Sequence, residues 1–310
     1  MTGFPSAPDA QVTLANWQDP PFNRWAFRHM REIIPSQPIP AGSASPAPLP
    51  AASGPLPDPL VRRLDGSTAT AAEVFADTCT DALVVLHDGR LVAERYDDGM
   101  TAATPHLLMS VSKSLVGCVA GVLADRGLLD PAALVTAYVP EAGSSGYAGA
   151  TVRNLLDMRT GVAFRETYTE LDAEVRVMER SMGWRPAEPG DPAGAYPYLT
   201  TLGQAGPHGG EFTYRSADTD MLVREAFAAT DNEFVLPGSW YRNQFWVLPG
   251  SGHPVLACLG IHGQLVYADR ATRTVVAKLS SWPDPQHTGY LLDTLRACAA
   301  LATRLAAPGQ

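Results

Sequence analysis

Lysine is almost missing from this sequence: among 310 residues only Lys113 and Lys278 carry it, and arginine supplies every other basic position. There is no run of basic residues and the formal net charge is −9, which argues against nucleic acid as a partner, because phosphate binding needs clustered cations. No apolar stretch is long enough to span a bilayer. The start, Met1-Thr2-Gly3-Phe4-Pro5, lacks the charged head and apolar core of a secretory signal. These absences predict a cytoplasmic protein with no membrane partner. Cysteine is scarce too: Cys79, Cys118, Cys258 and Cys298 are scattered, with no C-x-x-C pair. Cys118 and Cys298 fall in apolar helical runs, which predicts buried free thiols in a reducing compartment. A zinc site would need close ligand pairs, and the histidines offer none, so neither a metal nor another cofactor is expected.

What is present suits a globular enzyme. Hydrophobic residues make up 45% and charged residues 18%, enough for a substantial core. Residues 35–59 are dense in Pro, Ala, Ser and Gly and read as an extended connector. The arm before it carries Trp17, Trp25 and Phe27, and exposed aromatics are costly, so it is expected to pack on the body. The reading is an arm and connector over 1–60, then one domain over 61–310. Its sheet half takes 61–105 and 252–310, and its helical half 106–251.

Asp88-Gly89 joins two apolar runs, Ala82 to His87 and Leu91 to Tyr96, as a tight hairpin turn would. Further strands are predicted over Val255 to His262, Leu265 to Ala268 and Val275 to Leu279, then a helix from about Tyr290 to Leu305. Between the strand groups the pattern is helical. Val111, Leu115, Cys118, Val119 and Val122 have the spacing of a buried helix over Ser110 to Arg126, and Thr151 to Met158 reads as a shorter one. Strands at both ends with helices between predict an α+β fold: an antiparallel sheet built from both termini, with a helical half inserted in it.

Ser110 and Lys113 stand three apart at the start of the first helix, so hydroxyl and amine share a face. A serine is a weak nucleophile until a base takes its proton, and lysine serves if burial brings its pKa toward neutral. The flanking Leu107, Leu108, Met109 and Leu115 supply an apolar setting that predicts such a depression. A sequence that uses arginine nearly everywhere, yet keeps lysine here, points to a group that must lose its proton, which arginine cannot. Tyr214-Arg215-Ser216 forms a Tyr-x-Ser triplet, and Gly260-Ile261-His262-Gly263 lies on a predicted strand.

The order of these elements is that of the Ser-x-x-Lys hydrolases. Leu14 to Pro21, Leu107 to Ser114, Phe212 to Asp220, Gly260 to Gln264 and Lys278 to Pro285 together resemble the 6-aminohexanoate-dimer (nylon-oligomer) hydrolases, class C-like members of the serine β-lactamase and penicillin-binding superfamily. The resemblance implies a β-lactamase/transpeptidase-like fold and hydrolysis of linear amides and short carboxylic esters through an acyl-enzyme. It implies that Ser110 is the nucleophile, Lys113 the base and Tyr214 the proton relay, with the backbone N–H groups of Ser110 and Ile261 as oxyanion donors. Tyr168, Glu179, Trp246 and His262 fall at substrate-binding positions, Glu179 where a carboxylate holds a substrate ammonium. The implied partner is a small amide or ester, and a homodimer is compatible.

One departure is large. After Leu222-Val223 the chain passes directly to Arg224-Glu225-Ala226-Phe227, so by length roughly 80 residues of the family's helical half are absent. An α/β-hydrolase esterase would need a Gly-x-Ser-x-Gly elbow, which is not found; His208-Gly209-Gly210 stands without one. A β-lactamase or D,D-peptidase would need the lysine of a Lys-Thr-Gly motif, which the segment Leu259 to Gln264 lacks, to meet the substrate carboxylate. The alternatives that remain are a carboxylesterase without amidase activity and a truncated remnant without catalysis.

Overall fold

The computed structural model describes residues 10–38, 48–223, 230–231, 239–250 and 252–307. Two units divide it: Met1–Ser110 with Gly250–Gln310, and Val111–Pro249.

In the first unit the aromatic arm is tied down. Trp17 and Phe27 are buried around α1 (Asn23–Ala26), and α2 (Met30–Ile33) follows. Asn23 Nδ2 donates to the carbonyls of Ser281 (3.3 Å) and Trp282 (2.9 Å), and Arg24 pairs with the buried Asp81 at 2.7 Å. Part of the expected connector, 39–47, lies outside the described residues. Beyond it, Pro50 and Ala52 exchange backbone hydrogen bonds with Leu91.

A ribbon of β1 (Leu60–Arg62) and β2 (Thr68–Thr70) leads into α3 (Ala71–Asp77), whose start is closed by a reciprocal Thr70/Glu73 capping box. Asp88 (φ 51°) and Gly89 (φ 70°) both adopt positive φ, the geometry of a tight hairpin turn, and reverse β3 (Thr80–His87) into β4 (Arg90–Tyr96). The sheet of this unit runs β4, β3, β10 (Thr274–Ser280), β9 (Gln264–Asp269), β8 (Pro254–Gly260), and every pairing is antiparallel. α9 (Thr288–Ala306) buries Thr294, Ala297, Cys298, Leu301 and Ala302, the i, i+3, i+4 spacing of one face.

The second unit holds α4 (Val111–Asp125), α5 (Val152–Leu156), α6 (Glu174–Ser181), α7 (Ala195–Leu199) and α8 (Ser216–Leu222). It also holds the strands β5 (Thr230–Asp231), β6 (Trp240–Arg242) and β7 (Phe245–Pro249), ordered β7, β6, β5. Its core gathers Leu155, Leu156, Met178, Leu199 and Met221 among others. The α+β class read from the sequence holds.

The burial expected of α4 does not. Its buried face is Val111, Ser114, Gly117 and Ala120, while Leu115, Cys118, Val119 and Val122 are exposed. The small face wins because backbone must fit against it. Ser114 Oγ donates to the Gln244 carbonyl at 2.6 Å, and a Cβ at Gly117 would stand 2.5 Å from the Asn243 carbonyl oxygen. Leu115 and Val119 instead line an open groove of about 350 Å³, shared with Leu128 and Val223. Cys118 is therefore an exposed thiol, whereas Cys298 is buried as expected.

This contact makes alanine at 117 a discriminating change. Alanine is the better helix former by about 1 kcal/mol, yet Gly117→Ala is expected to lower unfolding free energy by about 1–3 kcal/mol through overpacking. Val119→Ser, on the exposed face, should stay within about 0.5 kcal/mol. Urea denaturation of the two variants checks this; a stabilised Gly117→Ala would show that the 243–244 turn yields.

Candidate active site

Ser110 closes the first unit and the chain enters α4 one residue later. Met109 before it has φ 46°, a left-handed conformation rare for a residue with a side chain, so the chain turns sharply into the helix. Gly260 backs this turn: a Cβ there would lie 2.8 Å from the Leu108 carbonyl oxygen and 3.1 Å from the Ser110 nitrogen. Only glycine lets the end of β8 come so near the Ser110 N–H. Ile261 opens a short helical turn directly after it. His262 sits at φ 58° with its ring buried; Nδ1 lies 2.8 Å from the Trp282 carbonyl, and the ring stands edge-on to Phe27 at 5.1 Å. It is a clamp on the backbone at 261–263.

In the second unit Lys113 lies in the first turn of α4 with Nζ 5.5 Å from the centre of the Tyr214 ring. Tyr214 stacks on the buried Trp246 (6.2 Å, 16° between planes) and meets Tyr241 edge-on (6.3 Å). Phe212 closes the same aromatic set against Trp246 at 6.0 Å. These rings fix the phenol beside the amine.

The carboxylate of Glu166 organises the loop facing them. It accepts from the Tyr168 hydroxyl at 2.5 Å, from the Ser216 backbone N–H at 2.8 Å and from Ser216 Oγ at 2.5 Å. Tyr168 and the Tyr-x-Ser triplet are thus joined through one anion. Charge-assisted bonds of this kind are about twice as strong as neutral ones.

The electrostatics overturn one expectation. Burial does pull Lys113 down, but Tyr214, Glu166 and Asp220 push it up further, and the amine ends above the ordinary lysine value. Its acidic neighbour Asp220 is raised to about 6, chiefly by burial and against the pull of Lys113. The apolar flanks of the motif were visible in the sequence; the two carboxylates brought to it were not. The lysine that burial does depress is Lys278, inward-facing on β10 and lowered to about 7. Its Nζ donates to the Thr78 carbonyl at 3.0 Å and to Ser280 Oγ.

Glu179 also departs from the reading that gave it a substrate ammonium. It is buried, and its Oε2 already accepts from Arg176 Nη1 at 2.9 Å and Arg185 Nε at 2.5 Å. Sequence reading did not single out Glu166, Asp220, Arg176 or Arg185. Asp220 closed the Phe212 to Asp220 segment and Glu166 stood two residues before Tyr168, whereas nothing in the spacing marked the arginines.

Residues 72–235 match the β-lactamase family. The chain is 33% identical to the 6-aminohexanoate-dimer hydrolase of Paenarthrobacter ureafaciens, over 96% of this chain and 97% of that protein. That alignment runs over 395 positions against 310 residues here, so at least 85 positions have no residue in this chain. A solved structure of a candidate 6-aminohexanoate-dimer hydrolase from Bacillus anthracis matches with a TM-score of 0.84 at 22% identity, over 98% of this chain and 99% of that one. EstCE1, a hydrolase with promiscuous acyltransferase activity, shares the fold at a TM-score of 0.52 and 12% identity, over 74% of this chain and 98% of that one. The gap expected after Val223 begins where 224–229 lie outside the described residues.

Having two lysines makes the opposed environments directly measurable. Lysine-selective ¹⁵N labelling should give two Nζ resonances, one titrating near 7 from Lys278 and one above the ordinary 10.5 from Lys113. Glu166→Gln should move only the second, downward, because it removes an anion beside the amine. A Lys113 resonance titrating near neutrality would overturn the assignment.

Proposed function

The chain belongs to the β-lactamase family, and from that premise we propose that it is a serine hydrolase in which Ser110 forms an acyl-enzyme with short carboxylic esters and linear amides. It is a hydrolase of this superfamily; the mechanism and substrate are our reading. The observation that carries it is the cluster of Lys113, Tyr214 and Glu166 around the first turn of the helix that Ser110 precedes.

In this reading the Ser110 Oγ–H bond breaks as Oγ attacks the carbonyl carbon, and the proton passes to the Lys113/Tyr214 pair. The developing oxyanion is met by the N–H groups of Ser110 and Ile261. Tyr214 then returns the proton to the leaving oxygen or nitrogen, and water releases the acyl group by the reverse path. Trp246 forms the wall behind Tyr214, Tyr168 closes on the substrate, and His262 holds the 261–263 backbone in place. The partner is a small amide or ester. The occupied Glu179 favours esters over amides that need their ammonium held.

Two outcomes test this. Ser110→Ala should abolish ester hydrolysis, by several orders of magnitude, and remove labelling by a fluorophosphonate, which reacts with activated serines. A wild type that is never labelled would favour the remnant. The second concerns pH. A lysine held above 10.5 is neutral in less than roughly one molecule in a thousand at pH 7. If the neutral amine is the base, kcat/KM must climb into the alkaline range, and Glu166→Gln must shift that limb to lower pH. Lys113→Arg should be nearly inactive although the charge is kept. A plateau at neutral pH unaffected by Glu166→Gln would move the base role from Lys113 to Tyr214.

A further inference from the structure

The arrangement around Glu179 has a surplus of positive charge. Arg176 and Arg185 both donate to the same oxygen, Oε2, so two guanidiniums meet one carboxylate. Each guanidinium carries five N–H donors. Among the described residues each commits one of them, and both commit it to this atom. Neither is sealed from solvent: their side chains are 12% and 17% exposed, against 5% for Glu179. The next arginine on α6 does not change the balance, because Arg180 is held by Asp191 at 2.8 Å and 3.1 Å, with the exposed Glu188 at 3.7 Å. Tyr168 lies within electrostatic range of Glu179, and Tyr168 is also the residue that Glu166 ties to the Tyr-x-Ser triplet. The arginine pair is therefore linked through Glu179 to Tyr168, the residue that Glu166 joins to the Tyr-x-Ser triplet.

We propose that Arg176 and Arg185 form an anion-recognising subsite, and that the preferred substrates carry a carboxylate, not an ammonium, on the part that reaches Glu179. The proposal rests on the acyl-enzyme reading and deepens it by naming the substrate class. Planar guanidiniums with free donors match a carboxylate in bidentate fashion, and partial desolvation makes such pairs stronger than in water. An ammonium in the same place would face the surplus cation, and Glu179 Oε2 is already engaged by both arginines. Glu179 then holds the two arginines in register for an anionic substrate group.

Binding is tested first, without turnover. Titration calorimetry of the Ser110→Ala protein should show hexanoate binding about tenfold more tightly than hexylammonium, with a preference that shrinks as salt is raised. Arg185→Gln in that background should remove most of the preference, and Arg185→Lys should restore part of it. Equal binding of the two ions, tighter hexylammonium, or no binding of either at millimolar concentration overturns the proposal. Because Arg185→Gln can also disturb folding, the wild-type chain supplies a second measure. The p-nitrophenyl monoester of adipic acid should exceed p-nitrophenyl 6-aminohexanoate in kcat/KM by about tenfold, and a ratio of one or below overturns the proposal. Absence of any ester hydrolysis, with no fluorophosphonate labelling, would count against the acyl-enzyme reading alone, and the calorimetry would still decide the subsite.

Discussion

A lysine amine set among apolar side chains keeps its proton only if anions are brought to it, and the second unit of this protein is arranged to do so. Glu166 reaches across from its loop and, in the same contact, fastens Ser216 and the Tyr168 hydroxyl. Asp220 follows from the next turn of the helix that Ser216 begins. The aromatic stack of Tyr214, Trp246 and Tyr241 sets how close the phenol may come. Position and charge of Lys113 are therefore one problem with one solution. A buried ion with partners on several elements ties those elements together, because leaving it alone would cost more than the packing it displaces.

The same unit turns an apolar helix face outward. Its α4 uses its small face for the tight contact with the 243–244 turn and turns Leu115, Val119 and Val122 outward. Leu115 and Val119 line an open apolar groove with Leu128 and Val223.

Arginine and lysine divide the work by chemistry. Arginine takes the ion pairs, where a permanent charge and a planar fork are useful, as at Glu179, Asp81 and Asp191. The two lysines sit in opposite surroundings, one raised by Tyr214 and two carboxylates against its burial, one lowered by burial on an inner strand position.

The sequence by itself determined what short-range sterics and periodicity control. The Asp88-Gly89 hairpin, the strands on either side of it, the terminal helix and the helix that starts after Ser110 all follow from residues within a turn or two of each other. Only the tertiary structure decided which face of α4 is buried, because the backbone it must admit lies 130 residues away. It also decided that Lys113 is raised, that Glu166 grips Ser216 from 50 residues off, and that Glu179 is taken by arginines. An electrostatic neighbourhood is a sum over groups assembled from distant segments. A local pattern fixes the apolar setting of a lysine, but the sign of its shift belongs to the charges the fold brings beside it.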